Sequence, residues 1–199
     1  MTNLTDLDVT SFSINSTAVT STAAELNILD GVTSTAAELN ILDGVTATAA
    51  ELNAVADVSG RLVAQAAGDF ALTAATHANR ITLVNDADVT VTLAAATGTG
   101  DVYKVVIVTT AWTGGTIQAA SASDSFLGGA NGVDDDADAA YAWKAEAADD
   151  TISGSGTATG GKVGDWYQFT DVATGLFLVE GFITQSGGSE ATPFSAAVA

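Results

Sequence analysis

The chain has 199 residues, of which 47% are hydrophobic and 15% charged, a composition typical of a folded protein rather than a disordered one. Its formal net charge is −19, which argues against the phosphate neutralisation needed for nucleic-acid binding and predicts repulsion from an anionic membrane surface. The absence of cysteine excludes disulfides and thiolate metal sites.

The first predicted element is an N-terminal arm over residues 1–58, which we call the repeat segment. It contains a repeated unit at 19–31, 32–44 and 45–57, whose first two copies are identical and whose third has diverged. Its first residues, MTNLTDLDVT, lack the basic and apolar regions of a signal peptide. Such faithful internal repetition is typical of a modular structural element rather than of a globular enzyme.

Each unit carries the signals of a short capped helix. A threonine precedes a glutamate by three residues, the spacing of a capping box, at Thr22–Glu25, Thr35–Glu38 and Thr48–Glu51. The sequence AAELNIL favours one or two helical turns. Gly31 and Gly44 then mark turns, because glycine adopts positive φ at little cost.

Helices this short are not stable alone in water, so their apolar side chains need a partner. These candidate partner-binding residues are Leu26, Ile28, Leu29, Val32, Leu39, Ile41, Leu42, Val45 and Leu52. We expect them to pack on another chain. The alternative is a helical cap that folds back on the same subunit.

Beyond the repeats, residues 59–79 are predicted to be a transition segment, 80–185 a β body and 186–199 a C-terminal tail with the single proline, Pro193. From Arg80 onward the hydrophobic pattern has a period of two, with about eight short strands separated by turn signals. DVYKVVIVTT is interpreted as a central strand, and DVATG as the turn of a late hairpin. The predicted fold class is therefore mainly β, with an antiparallel sandwich or jelly-roll-like body.

Aromatic residues concentrate in the second half of the body, at Trp143, Trp166, Tyr167, Phe169, Phe177 and Phe182. We expect these side chains to form the core. The alternative is an aromatic face that binds a ligand.

The sequence offers little for catalysis or metal binding. His77 is the only histidine and is expected to lie at the surface, with no nucleophile-elbow motif to accompany it. The Gly98–Gly100 segment lies between two strands and is interpreted as a turn rather than a phosphate loop. The acidic stretch Asp134–Asp138 lacks the ligand order of a calcium loop and is expected to be solvated. We assign no catalytic, cofactor-binding or metal residue.

The unit TAAELNILDGVT resembles a repeat found in structural proteins of tailed bacteriophages, including tail-fibre-like proteins. The body, with NRITLVNDADVTVTLAAATGTGDVYKVVIVTT, DSFLGG and GDWYQFTDVATGLFLVEGF, is similar in order to small phage proteins of the head-decoration or cement type. One departure is TLAAATG where that pattern has TLPAATG. The resemblance implies a β-rich virion subunit, commonly trimeric, with no catalytic residues to carry over.

We therefore expect a non-enzymatic cement or decoration protein that binds the major capsid protein on the outer surface of the capsid, as a homotrimer, without cofactor, nucleic acid or membrane. The alternative is a tail-fibre or host-recognition protein of the virion. A third reading, a virion-associated glycan hydrolase, requires a deep cleft with convergent carboxylates.

Overall fold

The computed structural model describes residues 13–28, 30–56, 59–65, 67–137 and 139–198. The structure is mainly β, as predicted, with 40% strand and 12% helix. Contacts between residues divide the chain into two units, Met1–Leu52 and Asn53–Ala199.

The first unit contains short local elements. Strands β1 (Ser13–Ile14) and β2 (Thr17–Ala18) pair as an antiparallel hairpin. Helices α1 (Ala23–Ile28) and α2 (Ala36–Ile41) follow at the predicted places, and the third predicted helix, α3 (Ala49–Ala56), begins in this unit and continues past its end at Leu52. Gly31 and Gly44 have φ of 81° and 82°, which confirms the predicted turns. Within the described residues, no helix combines the length and apolar character needed to cross a membrane.

The second unit contains a seven-stranded sheet with the strand order β10-β9-β13-β12-β7-β5-β3. Its strands are β3 (Leu62–Ala64), β5 (Arg80–Val84), β7 (Val102–Ile107), β9 (Ser125–Asp134), β10 (Ala139–Lys144), β12 (Trp166–Ala173) and β13 (Leu176–Gln185). Strand β7 lies between β12 and β5, which confirms its predicted central position.

A five-stranded sheet with the order β14-β11-β8-β6-β4 accompanies it. Its strands are β4 (Phe70–Ala71), β6 (Thr90–Thr92), β8 (Gly115–Gln118), β11 (Thr151–Gly154) and β14 (Phe194–Ser195). A 3-10 helix at Ser59–Arg61 and helix α4 (Ala74–His77) lie outside the sheets.

The strand pairing is mixed, so the prediction of an antiparallel body is only partly right. The predicted β12–β13 hairpin is antiparallel, but β13–β9, β3–β5, β5–β7, β4–β6 and β6–β8 are parallel. Side-chain alternation identifies a strand and its buried face. It does not encode the direction of the neighbouring strand, which depends on long connections.

Both sheets contribute to one hydrophobic cluster. Phe126, Phe169 and Phe177 enter it from the seven-stranded sheet, and Ile117 and Ile152 from the five-stranded sheet. Since these side chains are at most 2% exposed, the two sheets bury their facing sides together.

Segments predicted to flank the body also contribute strands to it. Strands β3 and β4 lie within residues 59–79, and β14 lies within residues 186–199. The carboxamide of Gln185 donates to the carbonyl oxygens of Ala158 and Ala191 at 2.6 and 2.8 Å and accepts from the indole Nε1 of Trp143 at 2.9 Å. These hydrogen bonds hold the C-terminal part of the chain against the sheet.

Candidate functional site

All three repeats form the predicted capping box. The glutamate carboxylate accepts a hydrogen bond from the threonine backbone N–H at 2.7 Å in each unit. The threonine hydroxyl accepts from the glutamate backbone N–H at 3.2 or 3.3 Å. The bonds from Thr22 and Thr35 lower the pKa of Glu25 and Glu38 below the ordinary glutamate value. The three helices therefore begin with the same capped geometry.

The predicted partner-binding residues of the repeat segment are exposed to solvent. Ile28 and Ile41, which occupy equivalent positions in successive units, are 75% and 76% exposed. The same holds for Leu26, Val32, Leu39, Leu42, Val45 and Leu52, which are at least 38% exposed. Leu29 lies outside the described residues. The structure thus presents a repeated set of apolar side chains in a segment that contains no lysine or arginine.

A second exposed apolar feature lies on the outer face of the seven-stranded sheet, opposite the core. Phe182 on β13 is 40% exposed and lies across from Trp166 on β12. The two residues line a depression of about 570 Å³, which we call the outer groove. The ammonium of Lys104 lies 4.0 Å from the centroid of the Trp166 ring.

The prediction that the late aromatics are core residues is right for Tyr167, Phe169 and Phe177, which are at most 1% exposed. It is wrong for Phe182 and Trp166. The missed signal is the alternation within GDWYQF, in which Trp166 points opposite to Tyr167 and Phe169. A strict assignment of faces by period two finds the outer groove's aromatic residues from the sequence.

His77 is buried at 5% exposed, so the prediction of a surface histidine is wrong. Its Nδ1 accepts the backbone N–H of Thr73 at 3.0 Å, and its Nε2 lies 3.0 Å from the side-chain amide of Gln65. Because the Thr73 N–H can only donate, the neutral ring carries its proton on Nε2, and the Gln65 carboxamide must turn its oxygen toward that proton to accept it. The ring also stacks on Phe70. His77 therefore closes the end of α4 and packs against β4.

We expect the free energy of unfolding to fall as pH drops below about 6.5, the ordinary pKa of histidine. Burial, with a contribution from the positive charge of Arg80, lowers the pKa of His77 in the folded protein. The unfolded chain therefore binds a proton first. Urea unfolding at several pH values from about 7.5 to about 5, on both sides of the ordinary histidine pKa, measures this fall. His77→Gln should remove this component, and an unchanged pH profile in that variant would contradict the assignment.

The Gly98–Gly100 segment forms the predicted turn, and both glycines have φ of 80°. Its backbone amides bind a carboxylate of the same chain. Asp171 accepts hydrogen bonds from the N–H groups of Thr97, Gly98 and Thr99 at 2.6–3.3 Å. These donors are occupied within the fold, which supports the interpretation as a structural turn.

The acidic loop brings carboxylate oxygens of Asp134, Asp135 and Asp136 within 4.8 Å of one another. Each has a donor within the chain. Asp134 and Asp136 accept backbone N–H bonds at 2.8 and 2.9 Å, and Asp135 pairs with Lys162 at 2.5 Å. Asp138 lies outside the described residues. Asp134 is 2% exposed, so the prediction of a solvated stretch is wrong for this residue, whereas Asp135 and Asp136 are exposed as expected.

Two sets of exposed apolar side chains are therefore candidate binding surfaces, one in each unit of the chain. Neither brings together the nucleophile, base and oxyanion donors of a hydrolytic site within the described residues. Comparison with protein-family models, with curated proteins and with solved structures identified no match for the chain.

Proposed function

We propose that this protein is a capsid cement or decoration protein of a tailed bacteriophage. In this proposal it is a homotrimer that binds the assembled lattice of the major capsid protein at the outer surface of the head. Residues 1–58 act as an arm that contacts the lattice, and the two sheets form a sandwich-type, jelly-roll-like head.

The observation that supports this proposal is the repeated exposure of equivalent apolar side chains. Ile28 and Ile41 occupy equivalent positions in successive capped units and are about three-quarters exposed. A lattice of identical subunits can present equivalent sites to successive units. Weak contacts at each site then combine through effective concentration.

The proposed mechanism is thermodynamic linkage. A protein that binds only the assembled lattice stabilises that lattice in proportion to the logarithm of its free concentration over its dissociation constant. This function needs no catalytic group. The net charge of −19 would keep an exposed coat soluble. A trimer would match the local threefold positions of an icosahedral shell.

The outer groove favours a second candidate, a tail-fibre or host-recognition protein. Receptor binding requires an accessible concave surface with apolar and polar groups, and the groove has both. In that case the repeats would connect the sheets to the tail rather than to the capsid.

Copy number per particle separates the two candidates. We expect quantitative mass spectrometry of purified virions to find this chain at a stoichiometry comparable to that of the major capsid protein. A few copies per particle would support the tail assignment instead. Absence from the virion would refute both.

A further inference from the structure

We propose that the outer groove is a saccharide-binding site, in which a sugar ring stacks on Phe182 and is flanked by Trp166, while its hydroxyls bind Glu180, Asn131 and Lys144. Saccharide binding would be a function additional to capsid attachment, and the proposed site contains no residue of the repeat segment. It follows from how the strand register arranges side chains on the outer face.

Two rows of side chains cross the strands on this face. In the first, Asn131, Phe182 and Trp166 are neighbours on β9, β13 and β12. In the second, Lys144 and Glu180 lie on either side of Gly129. An aromatic row that ends in one amide, Asn131, therefore runs beside a polar row, about 7 Å away along the strands.

The floor of the groove is backbone. Gly129 leaves a gap between the side chains of Lys144 and Glu180, which lie about 10 Å apart across two strand spacings. A Cβ at Gly129 would clash with the carbonyl oxygen of Trp143, and one at Gly128 with that of Val179. Close strand approach thus requires these glycines. The floor of the depression is consequently set by the backbone, while side chains form its walls.

Among the described residues, the lysines beside the groove make no ion pair. In the part of the chain that the structure describes, the ion pair is Lys162–Asp135, and neither Lys144 nor Lys104 has a carboxylate within 4.0 Å. Lys104 instead covers the Trp166 ring. Of the five basic residues of this acidic chain, Lys144 lines the groove and Lys104 lies against one of its aromatic residues.

A saccharide matches this pattern better than a second copy of the chain. A pyranose ring has an apolar C–H face for an aromatic ring and a rim of hydroxyls that need donors and acceptors at its edge. Glu180 accepts, Lys144 donates and Asn131 does both. A self-interface of this size would need an apolar centre, whereas a polar row crosses the middle of the groove. The volume of about 570 Å³ is in the usual range for small-molecule sites.

The test is saturation-transfer difference NMR on the full chain with three probes, maltohexaose, chitohexaose and an alginate hexasaccharide. The neutral and uronate probes distinguish hydroxyl recognition from recognition of a carboxylate by Lys144. We expect transfer to ring C–H protons from at least one probe, with a Kd of about 1 mM or tighter. Phe182→Ala and Trp166→Ala should each weaken binding about fivefold or more.

Leu127→Ala is the matched control, because Leu127 is 49% exposed on the same face but does not line the groove. Its binding should equal that of the parent chain, and thermal unfolding should confirm that all three variants are folded. No transfer from any of the three probes overturns the proposal, as does equal binding by the aromatic variants. Self-association that Phe182→Ala abolishes, without any saccharide signal, would identify the groove as an interface between copies.

Discussion

Replacement of Asp171 by alanine is expected to lower the free energy of unfolding by about 3–5 kcal/mol. Asp171 is 3% exposed, and its carboxylate accepts bonds from three consecutive backbone amides. The hydroxyls of Thr97 and Thr99 donate to it as well. Alanine would leave these donors without a partner at a site that water reaches poorly. Urea unfolding at pH 7 measures the loss.

The destabilisation caused by Asp171→Ala should depend on pH. Burial raises the pKa of Asp171, but the hydrogen bonds from Thr97, Gly98 and Thr99 together outweigh it, so the pKa lies below the ordinary value. The stabilisation is therefore fully present above about pH 4, the ordinary aspartate pKa, and is lost as pH falls through the lower folded pKa. The difference in the free energy of unfolding between the parent chain and Asp171→Ala should therefore become smaller as the pH falls below about 4.

The matched control is Asp88→Ala, which removes an exposed carboxylate from the same unit and should change the free energy of unfolding by less than about 0.5 kcal/mol. Asp171→Asn retains one carbonyl acceptor and should fall between the parent chain and Asp171→Ala. If Asp171→Ala and Asp88→Ala lower the free energy of unfolding by a similarly small amount, the Gly98–Gly100 turn does not depend on the Asp171 carboxylate.

Substitution of Ile28 and Ile41 by asparagine is expected to weaken binding to capsids about 100-fold, provided that the protein is a cement protein. Burial of an isoleucine contributes about 1.5–3 kcal/mol, and 1.4 kcal/mol is tenfold in affinity. Each single variant should therefore lose about tenfold, and the two losses should multiply because the residues lie on separate units. Cosedimentation with capsids that lack the protein measures this.

Stability should not change in these variants, since Ile28 and Ile41 are exposed in the folded chain. Val163→Asn, which replaces another exposed side chain in the second unit, should bind like the parent. If the double variant binds no worse than either single variant, the units do not act as equivalent contacts. If the parent chain itself does not cosediment, the capsid assignment fails.

Local signals correctly predicted the capped helices and the turns between them. The threonine–glutamate spacing predicts the capping boxes, and Gly31 and Gly44 predict the turns, because these structures depend on residues within one or two helical turns. The exposure of Ile28 and Ile41 also follows from helices too short to bury them. Local signals also predicted the central position of β7, from its apolar sequence, and the β12–β13 hairpin, from the turn sequence DVATG.

Features that depend on distant partners were not predicted. The ten-residue β9–β13 pair is parallel, which no local pattern specifies. The burial of His77 depends on Gln65 and Phe70, and the backbone floor of the outer groove depends on Gly129 meeting β10. These are tertiary contacts, and only their participants' residue types are visible in the sequence.

The parallel β9–β13 pair has a consequence for the time course of folding. Ser125 pairs with Leu176 and Asp134 with Gln185, so the longest ladder of the larger sheet joins residues about fifty positions apart. Chain entropy must be lost before this ladder can form, which makes the sheets slow to assemble. In the described residues of the capped repeats the hydrogen bonds are local, and helix–coil relaxation takes about 0.1–1 μs. The helical turns of the repeats therefore form and melt many times before the strands of the second unit have assembled.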